Sequence, residues 1–163
     1  VGPTREELGG SIYWDTYGFL GNTVPQVNTK RGTKIFSALS EAVKKGLVRS
    51  MHDCSEGGLA VALAEMAFSG KLGVTARLDQ VVLEGKIERD DTILFSESNS
   101  RFIVEVDPKN KNTFEQLLED VAFGLIGRVE EAPEFIVYGL NCQVCINTFI
   151  QDLKEAWQRP LRW

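Results

Sequence analysis

The residues best suited to chemistry form one short stretch, residues 52–60, which reads His-Asp-Cys-Ser-Glu-Gly-Gly-Leu-Ala. The segment Gly46–Met51 precedes this stretch and predicts a short strand. Apolar residues follow from Leu59 at the spacing of a helix, which places the stretch at a strand-to-helix turn. Such a turn brings an acid, a hydroxyl and two glycines to the start of a helix.

Four residues of this turn are candidates for contacting a nucleotide or a phosphate. The first N–H groups of a helix have no partner inside it, so Asp53 or Ser55 can cap them, or an incoming phosphate can bind them. Gly57 and Gly58 would let a ligand approach the backbone closely. The alternative is purely structural, because Asp and Ser are ordinary caps and paired glycines also serve close packing of a helix against a sheet.

The elements that must position this turn alternate between helix and strand. Thr33 is predicted to cap a helix that ends near Gly46, and its apolar stripe is Ile35, Phe36, Leu39, Ala42, Val43 and Leu47. After the helix that begins near Leu59 we expect a strand at 74–78, a charged insertion at 80–91 and paired strands around Glu97. We then expect a helix at 110–121, strands near 123–130, 135–139 and 143–147, and a last helix at 148–158.

This order predicts an α/β (α+β) fold in which helices cover a mixed sheet, since that arrangement buries both sets of apolar faces. Short turns between the last strands indicate antiparallel pairs. Residues 1–28 form a loop-rich N-terminal segment of the same domain, and residues 29–163 form its body. The dipeptide Val1-Gly2 has the character of the end of a strand, and 157–163 that of a natural tail, so we expect a domain excised from the C-terminus of a longer chain.

The loop-rich segment contains an aromatic cluster, Tyr13, Trp14, Tyr17 and Phe19. These rings either pack onto this or a neighbouring domain or form a lid that faces a nucleotide. The sequence leaves both interpretations open.

Composition excludes several functional classes. The net charge of −5 provides no basic surplus for nucleic acid, and no apolar run approaches the roughly 20 residues that span a bilayer. Cys142 and Cys145 form a C-x-x-C pair. No second pair exists and the single histidine, His52, lies in another motif, so we expect reduced thiols and no metal site.

Three segments resemble a family of ATP-dependent synthetases. Residues 52–59 resemble the HDxSEGGL signature of the superfamily of aminoimidazole ribonucleotide synthetase, selenophosphate synthetase and thiamine-monophosphate kinase. The full form, with His, Glu and two Gly, is most similar to formylglycinamide ribonucleotide amidotransferases. Residues 7–11, Glu-Leu-Gly-Gly-Ser, are similar to the segment that opens the last domain of those enzymes, although Ile12 replaces the usual Glu. Residues 94–104 resemble their FSE-x-x-x-R-F-x-V segment.

The resemblance implies the C-terminal domain of a ligase of purine biosynthesis. Its reaction uses ATP and Mg to convert formylglycinamide ribonucleotide and glutamine-derived ammonia into formylglycinamidine ribonucleotide. The family's catalytic histidine and metal-binding carboxylates match nothing in this chain, so no catalytic or metal-ligating residue is assigned. Glu97, Ser98 and Arg101 are implied substrate contacts. A local ion pair between Glu97 and Arg101 is the structural alternative.

The resemblance also implies a cytoplasmic protein whose partners are the preceding domains of its own chain. A glutaminase and a small bridging subunit would join it if the parent is the small form of the enzyme. The alternatives are a non-catalytic scaffold, an auxiliary nucleotide-binding domain, or the equivalent domain of another superfamily member. A scaffold would respond to a change at Gly58 or Arg101 through stability alone.

Overall fold

Helices and strands alternate along the chain, as the apolar periodicity predicts. The computed structural model describes residues 1–162. In order, the elements are α1 (Ile12–Thr16), α2 (Thr29–Lys44), β1 (Val48–Asp53), α3 (Gly58–Gly70), β2 (Gly73–Arg77), α4 (Asp90–Phe95), β3 (Phe102–Val106), α5 (Lys111–Leu117), β4 (Gly127–Glu130), β5 (Glu134–Tyr138), β6 (Val144–Phe149) and α6 (Ile150–Gln158). Trp163, the end of the predicted tail, lies outside the described residues.

The strands form a two-stranded ribbon and a four-stranded sheet. β1 and β3 pair antiparallel, with His52 opposite Ile103. The larger sheet has the order β4-β2-β5-β6. Its central pair, β2 and β5, is parallel, whereas β2–β4 and β5–β6 are antiparallel. The predicted mixed sheet of an α/β fold is therefore confirmed.

Two clusters of apolar side chains hold the ribbon, the sheet and the helices together. The larger one joins α3 to β2 and β5, and its most deeply buried members include Leu78, Ile93 and Val137. The second joins α2 and α5 to the β1–β3 ribbon around Ile35 and Leu118. The strand-to-helix turn at residues 53–58, called the signature turn from here on, leads from the ribbon into α3. It therefore lies where the two clusters meet.

Helix α2 begins earlier than predicted. Asn28 is its N-cap, and the Asn28 side chain accepts a hydrogen bond from the N–H of Arg31 at 3.0 Å. The predicted cap at Thr33 is wrong, because its hydroxyl donates to the carbonyl of Thr29 one turn back inside the helix. The buried stripe is also narrower than predicted, since Phe36 and Val43 are half exposed.

The first of the two strands predicted around Glu97 is wrong. Residues 90–95 form the short helix α4, and only the second segment, Phe102–Val106, is a strand. Asp90 and Asp91 stand in the first turn of α4, where acidic side chains favour a helix N-terminus. Ile93 and Leu94 are buried in the larger cluster, so tertiary packing overrides their β-propensity.

The last helix also differs from its prediction, because β6 continues through Phe149 and α6 begins at Ile150. Phe149 therefore lies in the strand and is half exposed. Trp157 of α6 packs on Phe68 of α3 with ring centroids 5.6 Å apart. Among the described residues, no helix is long and apolar enough to cross a membrane.

Residues 1–28 run over the body of the domain and contact it at several points. Val1 pairs with Phe102 through two backbone hydrogen bonds. Thr4 forms an isolated bridge with Leu83. In the aromatic cluster, Tyr13 stacks on Phe95 with centroids 4.5 Å apart. Packing onto the domain therefore accounts for Tyr13, whereas Tyr17 and Phe19 are more than 60% exposed.

Candidate functional site

The signature turn starts α3 without a side-chain cap. Gly57 occupies the N-cap position with φ +75°, and no side chain caps the helix there. The prediction that Asp53 or Ser55 caps α3 is therefore wrong. Instead, the carbonyl of Ser55 accepts the N–H of Gly58 at 3.0 Å. The Asp53 and Ser55 side chains are consequently exposed to solvent and not engaged as caps.

Both glycines are required by the backbone. Gly58 has φ +64°, and a Cβ there would lie 2.5 Å from the carbonyl oxygen of Ser96 and 2.8 Å from that of Leu94. Gly57 also has a positive φ, and a Cβ there would overlap the side chain of Val61. Close packing, the structural alternative to a ligand-binding role, therefore explains Gly58. Without a side chain there, the first turn of α3 packs directly against the end of α4.

Glu97 connects the turn to the N-terminal segment. Its Oε1 accepts the N–H of Gly57 at 2.9 Å and the N–H of Ile12 at 3.1 Å. Among the described residues, no ion pair joins Glu97 to Arg101, so the local ion pair considered as the structural alternative is wrong. The carboxylate instead holds two backbone segments that are 45 residues apart, Ile12 and Gly57.

Arg101 and Ser98 face the interior. Arg101 is 4% exposed, and its guanidinium donates to the Thr4 hydroxyl at 2.8 Å, to the carbonyl of Ser98 at 3.2 Å and to the carbonyl of Ser96. Burial lowers the pKa of Arg101, while Cys54, Glu7 and Glu97 act in the opposite direction. The Ser98 hydroxyl is fully buried and exchanges hydrogen bonds with the backbone of Arg5.

Glu7 is a buried carboxylate to which the sequence assigned no individual role. Its Oε1 forms an ion pair with the Arg5 guanidinium at 2.9 Å and accepts the N–H of Gln26 at 2.8 Å. Its Oε2 is buried and has no hydrogen-bond partner among the described residues. No local signal in the Glu-Leu-Gly-Gly-Ser motif marks this acid as buried, because its partners Arg5 and Gln26 are brought to it by the fold.

A cleft of about 550 Å³ opens beside the signature turn. It brings together four of the seven predicted site residues, Asp53, Ser55, Glu97 and Arg101, but not Gly57, Gly58 or Ser98. Sequence reasoning missed the remaining lining residues, which come from loops, from α2 and from the start of β3: Pro25, Phe36, Cys54, Glu56, Asn99, Ser100 and Phe102. Ser100 is the notable omission, since it has φ +60° and turns the chain into β3.

The cleft is acidic. Asp53, Glu56 and Glu97 contribute carboxylates, and Arg101 is the cation in its lining. A bare polyphosphate is disfavoured by such a charge balance, whereas a phosphate accompanied by a divalent cation is tolerated. Within residues 1–162, no group of three or more His, Cys, Asp or Glu residues is arranged to hold a metal ion.

His52 lies outside the cleft lining. Its Nδ1 is 2.7 Å from the carbonyl oxygen of Asp53, and its Nε2 is 3.2 Å from a carboxylate oxygen of Glu65 on α3. Glu65 also accepts the indole N–H of Trp157 at 2.9 Å. The imidazole therefore links β1 to the α3–α6 layer, a structural role of the kind expected for a lone histidine.

The three cysteines are unpaired thiols. Cys54 is buried at the signature turn, and burial raises its pKa. Cys145 donates to the carbonyl of Val137 at 3.3 Å, while the sulfur of Cys142 lies 3.2 Å from the guanidinium of Arg77. The two sulfurs of the C-x-x-C pair thus have separate partners.

The fold and the signature turn together define a class. The model of the family "AIR synthase related protein, C-terminal domain" matches residues 1–139. The chain belongs to this family, and the resemblance stated from the sequence is confirmed.

Within that class, the curated relatives are phosphoribosylformylglycinamidine synthase subunits called PurL. The chain is 34% identical over 157 residues to PurL of Thermococcus sibiricus, which covers 96% of this chain and 21% of the relative. It is 42% identical over 130 residues to PurL of Thermococcus gammatolerans, covering 78% of this chain and 17% of the relative. The chain therefore spans about a fifth of the length of these relatives.

Solved structures agree on the fold. Thermotoga maritima PurL complexed with FGAR superimposes with a TM-score of 0.80 at 22% identity, covering 93% of this chain and 26% of that chain. The hydrogenase maturation protein HypE superimposes with a TM-score of 0.62 at 13% identity, covering 91% and 50%. At these identities the likeness shows the shared fold.

Proposed function

We propose that this chain is the C-terminal domain of an ATP-dependent ligase that makes formylglycinamidine ribonucleotide in purine biosynthesis. The substrates are formylglycinamide ribonucleotide and ammonia derived from glutamine. The domain contributes ligand contacts from its cleft, while the catalytic groups and the Mg ligands come from other domains of the parent enzyme. The curated relatives support this proposal through the activity in their name.

One observation of the molecule carries the proposal. Glu97 Oε1 binds the backbone of Gly57 and Ile12 at the same time. This single atom joins three segments beside the cleft. They are the signature turn, the residues that follow Glu-Leu-Gly-Gly-Ser, and the segment 94–104 to which Glu97 belongs. Three motifs that resemble one enzyme family are thus parts of one assembled structure.

We further propose that Asp53, Ser55 and Glu97 face a Mg-nucleotide or the phosphorylated substrate. Their side chains line the cleft, and those of Asp53 and Ser55 are exposed. Gly57 and Gly58 support the cleft by shaping its backbone, and Ser98 and Arg101 support it from inside. The acidic lining favours a phosphate that arrives with Mg, as it would in phosphoryl transfer from ATP to an amide oxygen.

Calorimetric titration of the chain with Mg-ATP, Mg-ADP and formylglycinamide ribonucleotide tests the ligand contacts. We expect saturable binding of at least one ligand, weakened about tenfold by Ser55→Ala if the lost hydroxyl contact is worth about 1.4 kcal/mol. Ser69→Ala, an exposed serine at the far end of α3, is the matched control and should leave affinity unchanged.

If the isolated chain binds none of these ligands, the same variants are made in the parent enzyme and assayed with ammonium chloride as the nitrogen source. An unchanged KM for every substrate in Ser55→Ala and Glu97→Gln would reject the ligand-contacting role and favour the scaffold. Gly58→Ala is unsuitable for this test, because its backbone clash perturbs the fold whether or not a ligand binds.

The proposal extends to partners and location. The solved complex named PurLQS from Thermotoga maritima contains a PurL chain with which this chain shares its fold. We propose that the parent of this chain is the small form of the enzyme, which associates with a glutaminase and a small bridging subunit in the cytoplasm. Co-purification of the tagged parent with these two subunits tests the assembly.

A further inference from the structure

The carboxylates of the cleft are not neutralised by basic side chains of the domain. Within residues 1–162, none of Asp53, Glu56 and Glu97 forms an ion pair with a lysine or an arginine. Arg101 is the cation of the lining, but it donates its hydrogen bonds to the Thr4 hydroxyl and to two backbone carbonyls. Three carboxylates and one guanidinium give the lining a net charge of −2.

Two of these carboxylates retain free acceptor oxygens. Glu97 uses Oε1 for the N–H groups of Gly57 and Ile12, whereas no described donor bonds to its Oε2. The Asp53 side chain is 60% exposed, and its Oδ1 is 3.8 Å from the Nδ1 atom of His52, beyond hydrogen-bond distance. Both side chains can therefore accept hydrogen bonds from a group that enters the cleft.

An aromatic wall bounds the same cleft. Phe36 of α2 is 53% exposed, although its spacing in the sequence predicts a place in the buried stripe. Its ring packs edge-on against Phe102 of β3 with centroids 5.7 Å apart, and both residues line the cleft. The exposed ring of Phe36 is thus part of the cleft surface, which combines unpaired carboxylates with an aromatic face.

This combination suits a flat organic cation. Carboxylates bind such a cation through charge-assisted hydrogen bonds, and an aromatic face attracts its positive charge. An amidinium group has the required shape, because its two nitrogens and carbon form the same planar fork as part of an arginine side chain. The cleft volume of about 550 Å³ is that of a small-molecule site.

We propose that the cleft distinguishes the amidine product of the ligase reaction from its amide substrate and binds the product more tightly. The inference rests on the proposed function. In that reaction the nitrogen of ammonia replaces the amide oxygen of formylglycinamide ribonucleotide, and this oxygen leaves in inorganic phosphate formed from the γ-phosphate of ATP. Substrate and product therefore carry the same ribose phosphate and differ at one group, which is a neutral amide before the reaction and a protonated amidine after it.

Each part of the lining has a role in this distinction. Asp53 and Glu97 accept the N–H groups of the amidinium, and Phe36 presents its ring to the positive charge. The amide substrate has a carbonyl oxygen in place of one of the nitrogens. A carbonyl oxygen that faces a carboxylate can form no hydrogen bond with it and is repelled. The cleft thus recognises charge and hydrogen-bond polarity at the one group that the reaction changes.

Calorimetric titration of the chain with the two ribonucleotides tests the inference. We expect the product to bind about tenfold more tightly than the substrate at low salt. Asp53→Asn, an isosteric change at an exposed side chain, should reduce this ratio to about twofold. Phe36→Leu should weaken product binding about threefold. Asp120→Asn is the matched control, because it removes one exposed carboxylate outside the lining and should leave the ratio unchanged.

The salt dependence of the two affinities separates a charge effect from a structural one. Salt screens exposed charges, so the preference for the product should fall by at least half between about 0.05 M and 1 M salt. A purely structural role of Asp53 would change both affinities by the same factor and leave their ratio independent of salt.

Equal affinities of the chain for the two ribonucleotides would overturn the inference and leave the proposed function in place. A preference for the product that neither Asp53→Asn nor Phe36→Leu reduces would also overturn it, since other residues would then recognise the amidinium. Loss of Mg-ATP affinity in Asp53→Asn, with both ribonucleotides unaffected, would assign the carboxylates to the nucleotide and have the same result.

If the isolated chain binds neither ribonucleotide, the parent enzyme provides the measurement. Asp53→Asn should raise the inhibition constant of the product about fivefold more than the KM of the amide substrate. Equal changes in the two constants would overturn the inference alone. No change in either constant would reject the proposed ligand-contacting role of the cleft and the inference with it.

Discussion

The two sides of the segment Ser96–Arg101 carry similar polar side chains and use them differently. Ser96, Ser98 and Arg101 are buried and bond to the N-terminal segment or to each other's backbone, although Arg101 also reaches the lining of the cleft. Glu97, Asn99 and Ser100, on the other side, line the cleft. One side therefore builds the site and the other is available to a ligand, although both belong to one motif.

This difference shows that a motif residue need not touch a ligand to be required for it. Buried polar groups are costly unless fully bonded, so the inward residues depend on Thr4, Arg5 and Glu7 for their partners. The outward residues depend on the inward ones for their position. Substitutions should therefore separate into effects on stability and effects on ligand binding, which the following predictions test.

The largest effect is expected from Arg101→Leu. The change leaves the acceptors at Thr4, Ser96 and Ser98 without their donor in the interior, and we expect a loss of about 3 to 5 kcal/mol in the free energy of unfolding. Urea titration measures it. Arg49→Leu removes an exposed arginine paired with Asp107 and should cost under about 1 kcal/mol. Equal losses of stability in Arg101→Leu and Arg49→Leu would contradict the distinction between the two sides of the segment.

Gly58→Ala should have the next largest effect. We expect a loss of about 3 kcal/mol, because a left-handed alanine costs about 1 to 2 kcal/mol and forced contact with the Ser96 carbonyl adds a similar amount. Gly46→Ala is the control, since Gly46 has φ +66° and open space around it. Thermal unfolding of both variants isolates the packing part. If the two variants lose the same stability, the contact with Ser96 contributes nothing.

Glu97→Ala should have an intermediate effect on stability, because Glu97 lines the cleft and also binds the backbone of Gly57 and Ile12. Loss of the shared acceptor for Gly57 and Ile12 should cost about 1 to 2 kcal/mol and also weaken binding of any cleft ligand. Glu97→Gln retains an oxygen acceptor and should recover at least half of the stability. A Gln variant as unstable as the Ala variant would mean that charge, and not the two hydrogen bonds, is what the site uses.

The smallest stability effect is expected from Asn99→Ala. Asn99 is exposed at the rim of the cleft, so the free energy of unfolding should change by less than about 0.5 kcal/mol. A change in ligand affinity measured by calorimetry, without a change in Tm, would sharpen the contrast with Arg101. A stability loss as large as that of Glu97→Ala would contradict it.

Regular periodicity made much of the fold predictable. The body of α2, α3 and β2 follows directly from apolar spacing, and the mixed sheet follows from the short turns near its end. The errors arose where long-range contacts decide. Residues 90–95 have strand-like composition but pack as a helix under α3, and Thr33 looks like a cap although Asn28 provides one.

The site was predictable in its membership and less so in its orientation. Asp53, Ser55, Glu97 and Arg101 do line one cleft, because the motifs that contain them assemble together. Nothing local indicates that Arg101 points inward, since its acceptors at Thr4 and Ser96 come from folding of distant segments. The unsatisfied Glu7 oxygen is likewise a property of the assembled interior.

The parallel pairing of β2 with β5 has a consequence for the order of folding. Val74 lies opposite Phe135, which is 61 residues later in the chain. A long loop must close before this pair gains any hydrogen bond, whereas the β5–β6 hairpin closes a short one. We therefore expect β5 and β6 to form first and β2 to join them late. The centre of the sheet would then be the last region to gain protection during refolding.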